Sequence, residues 1–195
     1  PSGAGKTTLC KMLLKKVNNI MLSISYTSRN KRLNEKEGKD YFFVTKDRFL
    51  KLEKNSFFIE SCSNFNNFYG SPIKNIRKSN SLNKNILFDI DWKGARKIRK
   101  KFNKKDIIDI FILPPSAKEL KKRLIKRGRD TDKEIKLRLS YALDEIKHYN
   151  EYQYILFNQN IHETANDIIS IIKYHDLIKK NKKLLDKNLK KLINL

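Results

Sequence analysis

The sequence predicts an α/β fold, a parallel sheet with helices on its faces, and three observations carry that reading. Short apolar runs of strand length alternate along the chain with stretches of helical periodicity. A loop of small residues ending in Gly5-Lys6-Thr7 opens the first helical stretch. Asp89 and Asp91 close an apolar run, at the place where the carboxyl end of a sheet strand meets its ligand.

The strand candidates are residues 20–25, 41–44, 57–60, 85–91, 107–113 and 154–157. Helical patterns cover 6–16, 46–54, 72–79, 93–102, 117–127, 132–150 and 161–173. Ser116 with Glu119, and Thr131 with Glu134, have the spacing at which hydroxyl and carboxylate cap each other's backbone N–H groups. Pro114-Pro115 ends the strand before the first of these helices. No internal repeat interrupts the pattern.

Composition bounds the function classes. At 195 residues, 39% hydrophobic and 33% charged, the chain holds one globular domain or one domain with appendages. Four Pro and six Gly exclude a collagen-like or Gly/Pro-rich chain. The most apolar run, 107–113, is broken by Asp109 and too short to cross a bilayer, so no membrane span is expected. Cys10 and Cys62 have no metal-ligand spacing, and lysines interrupt any signal-peptide core at the start. A soluble, cytoplasmic protein with free thiols is the expectation. His148, His162 and His175 each stand alone and read as surface residues.

A net charge of +23 has two readings. Clustered, it would be a footprint for nucleic acid, anionic lipid or polyphosphate; spread, it is a solvated face. The lysines lie in every segment, which favours the second reading, and no nucleic-acid partner is expected. Residues 176–195 are the one compositional break, rich in Lys, Asn and Leu. They read as a solvated extension or as a basic amphipathic helix that docks on a membrane or partner.

Ser2-Gly3-Ala4-Gly5-Lys6-Thr7-Thr8 is the strongest chemical signal. It follows the P-loop pattern G-x-x-x-x-G-K-[ST], with the first Gly falling one residue ahead of Pro1. Small residues let successive N–H groups close around phosphate oxygens at the positive end of a helix. Lys6 brings a point charge to the outer phosphates, and the Thr7 hydroxyl suits Mg²⁺. The plain alternative is an ordinary turn and helix cap. A strand should deliver the chain into such a loop, and the sequence is expected to lack that first strand. Asp89 is the matching carboxylate for the metal ion or its waters.

Further blocks carry a family resemblance. These are 23–32 (Ser-Ile-Ser-Tyr-Thr-Ser-Arg-Asn-Lys-Arg), 37–44 (Glu-Gly-Lys-Asp-Tyr-Phe-Phe-Val), Phe58-Ile59-Glu60, Phe68-Tyr69-Gly70-Ser71, Asp89-Ile90-Asp91-Trp92-Lys93-Gly94-Ala95, Leu113-Pro114-Pro115-Ser116 and Arg123 to Gly128. In order and spacing they resemble guanylate kinase, from Pro1 to about Lys173. The resemblance implies a P-loop NTPase-type sheet with a small mixed α/β GMP-binding subdomain, at about 26–84, and a lid at about 127–140. The domain would span 1–175, followed by the basic extension 176–195.

The resemblance also implies roles. Arg29, Arg32, Tyr41 and Tyr69 would clamp the GMP phosphate, where forked guanidiniums suit a dianion. Glu60 would read guanine by accepting from N1–H and the exocyclic amine, with Ser25, Ser71 and Asp91 completing the pocket. Arg123, Arg127 and Arg138 would offset transition-state charge from the lid side, together with Lys6. Asn158 matches a position near the adenine. Three departures, Asn30-Lys31, Phe68 and Ser61-Cys62, remove none of these ligands. The expected activity is Mg²⁺-dependent phosphoryl transfer from ATP to GMP, with dGMP as a further acceptor. The alternative is a non-catalytic interaction module of the same shape.

Overall fold

The protein is described from a computed structural model covering residues 1–64, 66–126 and 132–193, with the backbone alone at 132–134, 186–187 and 190–192. The opening loop runs into helix α1 (Lys6–Lys16), which buries Leu9, Cys10 and Leu13, residues that share one helical face. Strands β1 (Ile20–Leu22), β2 (Tyr26–Thr27) and β3 (Phe42–Phe43) precede helix α2 (Lys46–Lys54). Strands β4 (Phe58–Asn64) and β5 (Asn67–Pro72) form a hairpin, followed by α3 (Ile73–Ser81), β6 (Asn85–Leu87) and α4 (Trp92–Lys101). Then come β7 (Ile110–Leu113), α5 (Ala117–Lys126), α6 (Asp132–Ile146), β8 (Tyr154–Phe157) and α7 (Ile161–Ile193).

The expected parallel pairing is present. β1 lies parallel to β6, with Ile20 opposite Asn85, and β7 lies parallel to β8, with Ile110 opposite Tyr154. Ala4, Leu9, Leu13, Ile20, Ile112, Ala165 and Ile168 form the core that joins the loop, α1, these strands and α7. Among the described residues β6 and β7 do not pair; Phe88, Ile90, Ile110 and Ile112 line a cleft between them that reaches Pro1 and Lys6. A second small core, Leu120, Leu124 and Ala142, packs α5 on α6.

The mixed subdomain is a four-stranded sheet in the order β3-β2-β5-β4, where β5 runs antiparallel to both neighbours. Phe49 from α2 is fully buried and stacks on Phe58 and Phe68, with ring centroids 4.6 and 5.4 Å away. The β4–β5 register shifts between Phe58 and Glu60, an irregularity of the kind that re-aims a side chain. Here the affected residue is Glu60.

Several elements differ from the sequence expectation. The run 85–91 pairs only over Asn85–Leu87, because Asp89 and Asp91 turn to other partners. The strand expected at 107–113 starts at Ile110, after a short 3₁₀ turn, Lys104–Asp106. β2 and β5 are additional strands. The helix expected to stop at 173 runs on to Ile193, so the extension is helical.

Candidate active site

The loop wraps around the N-terminus of α1. Gly3 and Gly5 have φ of 88° and 97°, the left-handed region that favours glycine, and Gly5 is the N-cap of α1. Ala4 is fully buried, and its carbonyl oxygen accepts from Asn158 Nδ2 at 2.7 Å. Ser2 N donates to Glu145 Oε2 at 3.0 Å, which ties the loop to α6. Lys6 Nζ donates to the Pro1 carbonyl at 3.0 Å and so curls back over the loop. Thr8 is exposed at the loop's outer edge.

Thr7 and Asp89 meet: Thr7 Oγ1 donates to Asp89 Oδ2 at 2.7 Å. One sits in the first turn of α1 and the other just after β6, so two oxygen donors from distant parts of the chain share one spot. Oxygen donors of this kind fit a hard cation such as Mg²⁺, which keeps most of its waters and takes its remaining ligands from phosphate.

Asn158, the residue after β8, is 2% exposed. Besides its bond to Ala4, its Oδ1 accepts from Thr164 Oγ1 at 3.3 Å, and its backbone carbonyl accepts from Arg123 at 3.1 Å. A methyl group at Gly5 would collide with its amide. Gly5, Thr8, Arg123, Asn158 and Ile161 line one open recess beside the loop. The expected adenine neighbour therefore lies at the recess, with its own side chain held against the loop.

A second constellation lies on the mixed sheet. Glu60, on β4, is 3% exposed; its Oε1 accepts from Ser71 Oγ at 2.6 Å, and the Ser71 and Ser25 hydroxyls are 3.2 Å apart. Glu60 Oε2 is buried and has no hydrogen-bond partner. Burial raises the Glu60 carboxyl to about 7, with the charge of Asp91 adding to the rise and the Ser71 hydrogen bond opposing it. Asp91 is the N-cap of α4: its Oδ1 accepts from Gly94 N at 2.9 Å, and Cys62 Sγ donates to its Oδ2 at 3.4 Å.

Arg29 lies 5.5 Å from the Tyr41 ring centre and 5.8 Å from that of Phe43. Its NH2 group donates to Glu35 Oε1 at 2.7 Å, and the Arg32 backbone N–H donates to Glu35 Oε2 at 2.9 Å. Burial would raise the Glu35 carboxyl, but these hydrogen bonds and the charges of Arg29 and Arg32 hold it below the usual carboxylate range. Tyr41 and Tyr69 meet edge to face at 6.1 Å. Burial, aided by Asp89, pushes the Tyr41 hydroxyl well above its ordinary value, so it remains a donor. Arg29, Tyr41 and Tyr69 thus sit together, and Arg32 is tied to the same Glu35.

The family model for guanylate kinase matches residues 1–175. The guanylate kinase of Rickettsia felis is 44% identical over 172 residues, which are 88% of each chain. That of Rhodopseudomonas palustris is 42% identical over 173 residues, covering 89% of this chain and 78% of its own. The crystal structure of guanylate kinase from Anaplasma phagocytophilum superposes with a TM-score of 0.74 at 38% identity, covering 87% of this chain and 81% of its own. The chain belongs to the guanylate kinase family.

In this guanylate kinase the loop with Lys6 and Thr7 and the pocket around Glu60 are two constellations built from different elements. Arg123, on α5, lines the recess beside the loop and donates to Glu119 Oε1 at 3.1 Å, one helical turn back. Arg138 is half-buried on α6, and Arg127 lies outside the described residues. Three further residues shape the site and went unnoticed in the sequence: Glu35, Glu145 and Gly94. Only Gly94 left a signal, three residues beyond the capping Asp91. Arg96 and Arg99 on α4 brace the pocket wall through Glu151, at 2.7 and 2.9 Å, while Trp92 stacks on His148 at 3.7 Å.

Proposed function

We propose that this chain transfers the γ-phosphoryl group of ATP to GMP, and to dGMP, giving ADP and GDP or dGDP. The observation that carries the reading is Glu60: a buried carboxylate with one oxygen held by Ser71 and the other without a partner. Guanine offers two donors on one edge, N1–H and the exocyclic amine, and would satisfy that orphan; adenine offers no such pair. A buried acceptor left unpaired by the wrong base is a strong discriminator.

In this reading Arg29, Arg32, Tyr41 and Tyr69 hold the GMP phosphate, with Ser25 and Asp91 completing the base pocket. The attacking atom is a phosphate oxygen, already ionised near neutral pH, so no general base is required. The bond between the γ-phosphorus and the β–γ bridging oxygen breaks as the new P–O bond forms, and ADP leaves with the electron pair. Residues 2–8 cradle the ATP phosphates through backbone N–H groups, and Lys6, Arg123, Arg127 and Arg138 offset the negative charge. Thr7 and Asp89 would hold Mg²⁺, which neutralises phosphate charge when bound.

A coupled ADP-release assay with Mg-ATP against GMP, dGMP, AMP, UMP and CMP tests this. Turnover confined to the two guanine nucleotides is expected; equal rates with AMP would sink the assignment of Glu60. A non-catalytic interaction module would give no ADP with any acceptor.

A further inference from the structure

Helix α7 changes its apolar face near Tyr174. Up to Ile172 its seam is Ile161, Ala165, Ile168, Ile169 and Ile172, which packs into the core shared with α1. Beyond Tyr174 the apolar residues among the described side chains are Leu177, Ile178, Leu184, Leu185, Leu189 and Ile193, and all six are exposed, from 45% at Leu189 to 76% at Ile193. At 100° per residue this second stripe is centred roughly 140° around the axis from the first. It therefore cannot be a continuation of the seam that holds α7 to the domain. It also lies beyond residue 175, where the family match ends.

The charges on the same stretch narrow what covers it. Residues 176–195 carry seven lysines against two aspartates. Lys179, Lys180 and Lys183 fall on the arc opposite the apolar stripe, Lys182 falls within it between Leu189 and Ile193, and all four are exposed. A second copy packed on this stripe would draw Lys182 of both chains into the apolar seam, and a charge there opposes pairing. An anionic lipid surface satisfies both arcs, since leucines enter the acyl boundary while lysine stems reach up to the headgroups. Each lysine near such a surface strengthens the attraction.

We propose that the α7 extension, residues 174–193, is an interfacial helix that docks this chain on anionic phospholipid surfaces. The fold supplies a stiff arm about 27 Å long at 1.5 Å per residue over 176–193. The candidate site reaches only the first turn of α7, at Ile161, and residues 174–193 line none of it, so docking and turnover are separable.

The test is co-sedimentation of the full chain with vesicles of mixed phosphatidylglycerol and phosphatidylcholine, and with phosphatidylcholine alone. Binding about tenfold stronger to the anionic vesicles, and weakened by added salt, is expected. Leu185→Asp combined with Leu189→Asp should lose about tenfold in vesicle binding while ATP-dependent turnover of GMP stays at the parent level, which also shows that the variant folds. Lys179→Glu with Lys183→Glu should lose binding in the same way. Undiminished binding by the leucine variant would overturn the proposal, because the overall +23 charge would then suffice. Equal binding to both vesicles, or binding to neither, would overturn it as well. So would a dimer in light scattering that the leucine variant abolishes.

Discussion

Asn158 Nδ2 donates to the Ala4 carbonyl at 2.7 Å, joining the end of β8 to the middle of the phosphate-binding loop across 154 residues of sequence. The bond fixes how the loop sits at the N-terminus of α1. Asn158→Ala would leave the buried Ala4 carbonyl unpaired, at a cost of about 1–3 kcal/mol in stability. The same change should lower kcat/KM for ATP about 10- to 100-fold, since small misplacements of a positioning loop are expensive. The KM for GMP, whose site lies on other strands, should hold. Thermal melting and steady-state kinetics at varied ATP check this, and unchanged ATP kinetics would reduce Asn158 to a packing residue.

Glu60 should make GMP recognition pH-dependent. Its folded-state value of about 7 lies above the unfolded 4.5, so folding takes up a proton between these values. The stability this group contributes is complete below about 4.5 and is lost as pH rises through 7. Guanine recognition has the opposite requirement, because only the ionised carboxylate accepts two donors. The KM for GMP should therefore fall as pH rises from about 6 to 8, beyond any part due to the GMP phosphate itself. Glu60→Gln should flatten that part of the profile, weaken GMP about 100-fold, and stabilise the ligand-free chain at pH 8 by on the order of 3 kcal/mol. Titration calorimetry and melts at several pH values would show it; an equally steep KM profile in the Gln variant would contradict it.

Gly94 sits in the first turn of α4, where alanine would ordinarily favour the helix by about 1 kcal/mol. A Cβ there would stand 2.7 Å from Glu60 Oε2 and 3.2 Å from its carboxyl carbon. Glu60 is too buried to swing aside, so steric displacement outweighs propensity. Gly94→Ala should raise the KM for GMP about tenfold or more and leave the KM for ATP unchanged, measured by kinetics with each substrate varied in turn.

What could be seen in the sequence follows from the range of each signal. The loop, α1 and the amphipathic helices depend on neighbours a turn apart, and Lys6, Thr7 and Asp89 stand in motifs that carry their own mechanism. β5 escaped because Asn67–Pro72 is polar and carries a Gly and a Pro, the composition of a loop, and pairs because β2 and β4 lie on either side of it. The apolar run 85–91 overstated β6, since hydropathy does not register that Asp89 and Asp91 leave the ladder for Thr7 and Gly94. Glu145 and Asn158 reach the loop over 143 and 154 residues, distances at which no spacing rule operates. Glu35 carries no pattern of its own; only the folded turn brings it to Arg29.

Lys6 separates binding from transfer. Its ammonium donates to the Pro1 carbonyl at 3.0 Å, whereas the Glu60 pocket is built from β4, β5 and α4. Effects at sites without shared partners are close to additive, so removing the Lys6 charge should leave GMP affinity within about twofold. Turnover should suffer more, because a fixed cation aimed at developing phosphate charge is worth about 10²–10³ in kcat. Lys6→Met keeps most of the stem packed and deletes the charge. The expected result is a large loss of kcat with near-parental GMP binding by calorimetry. A parallel loss of GMP affinity would mean that the loop and the guanine pocket are coupled through Asp89, which bonds Thr7 and acts on Tyr41 of the phosphate clamp.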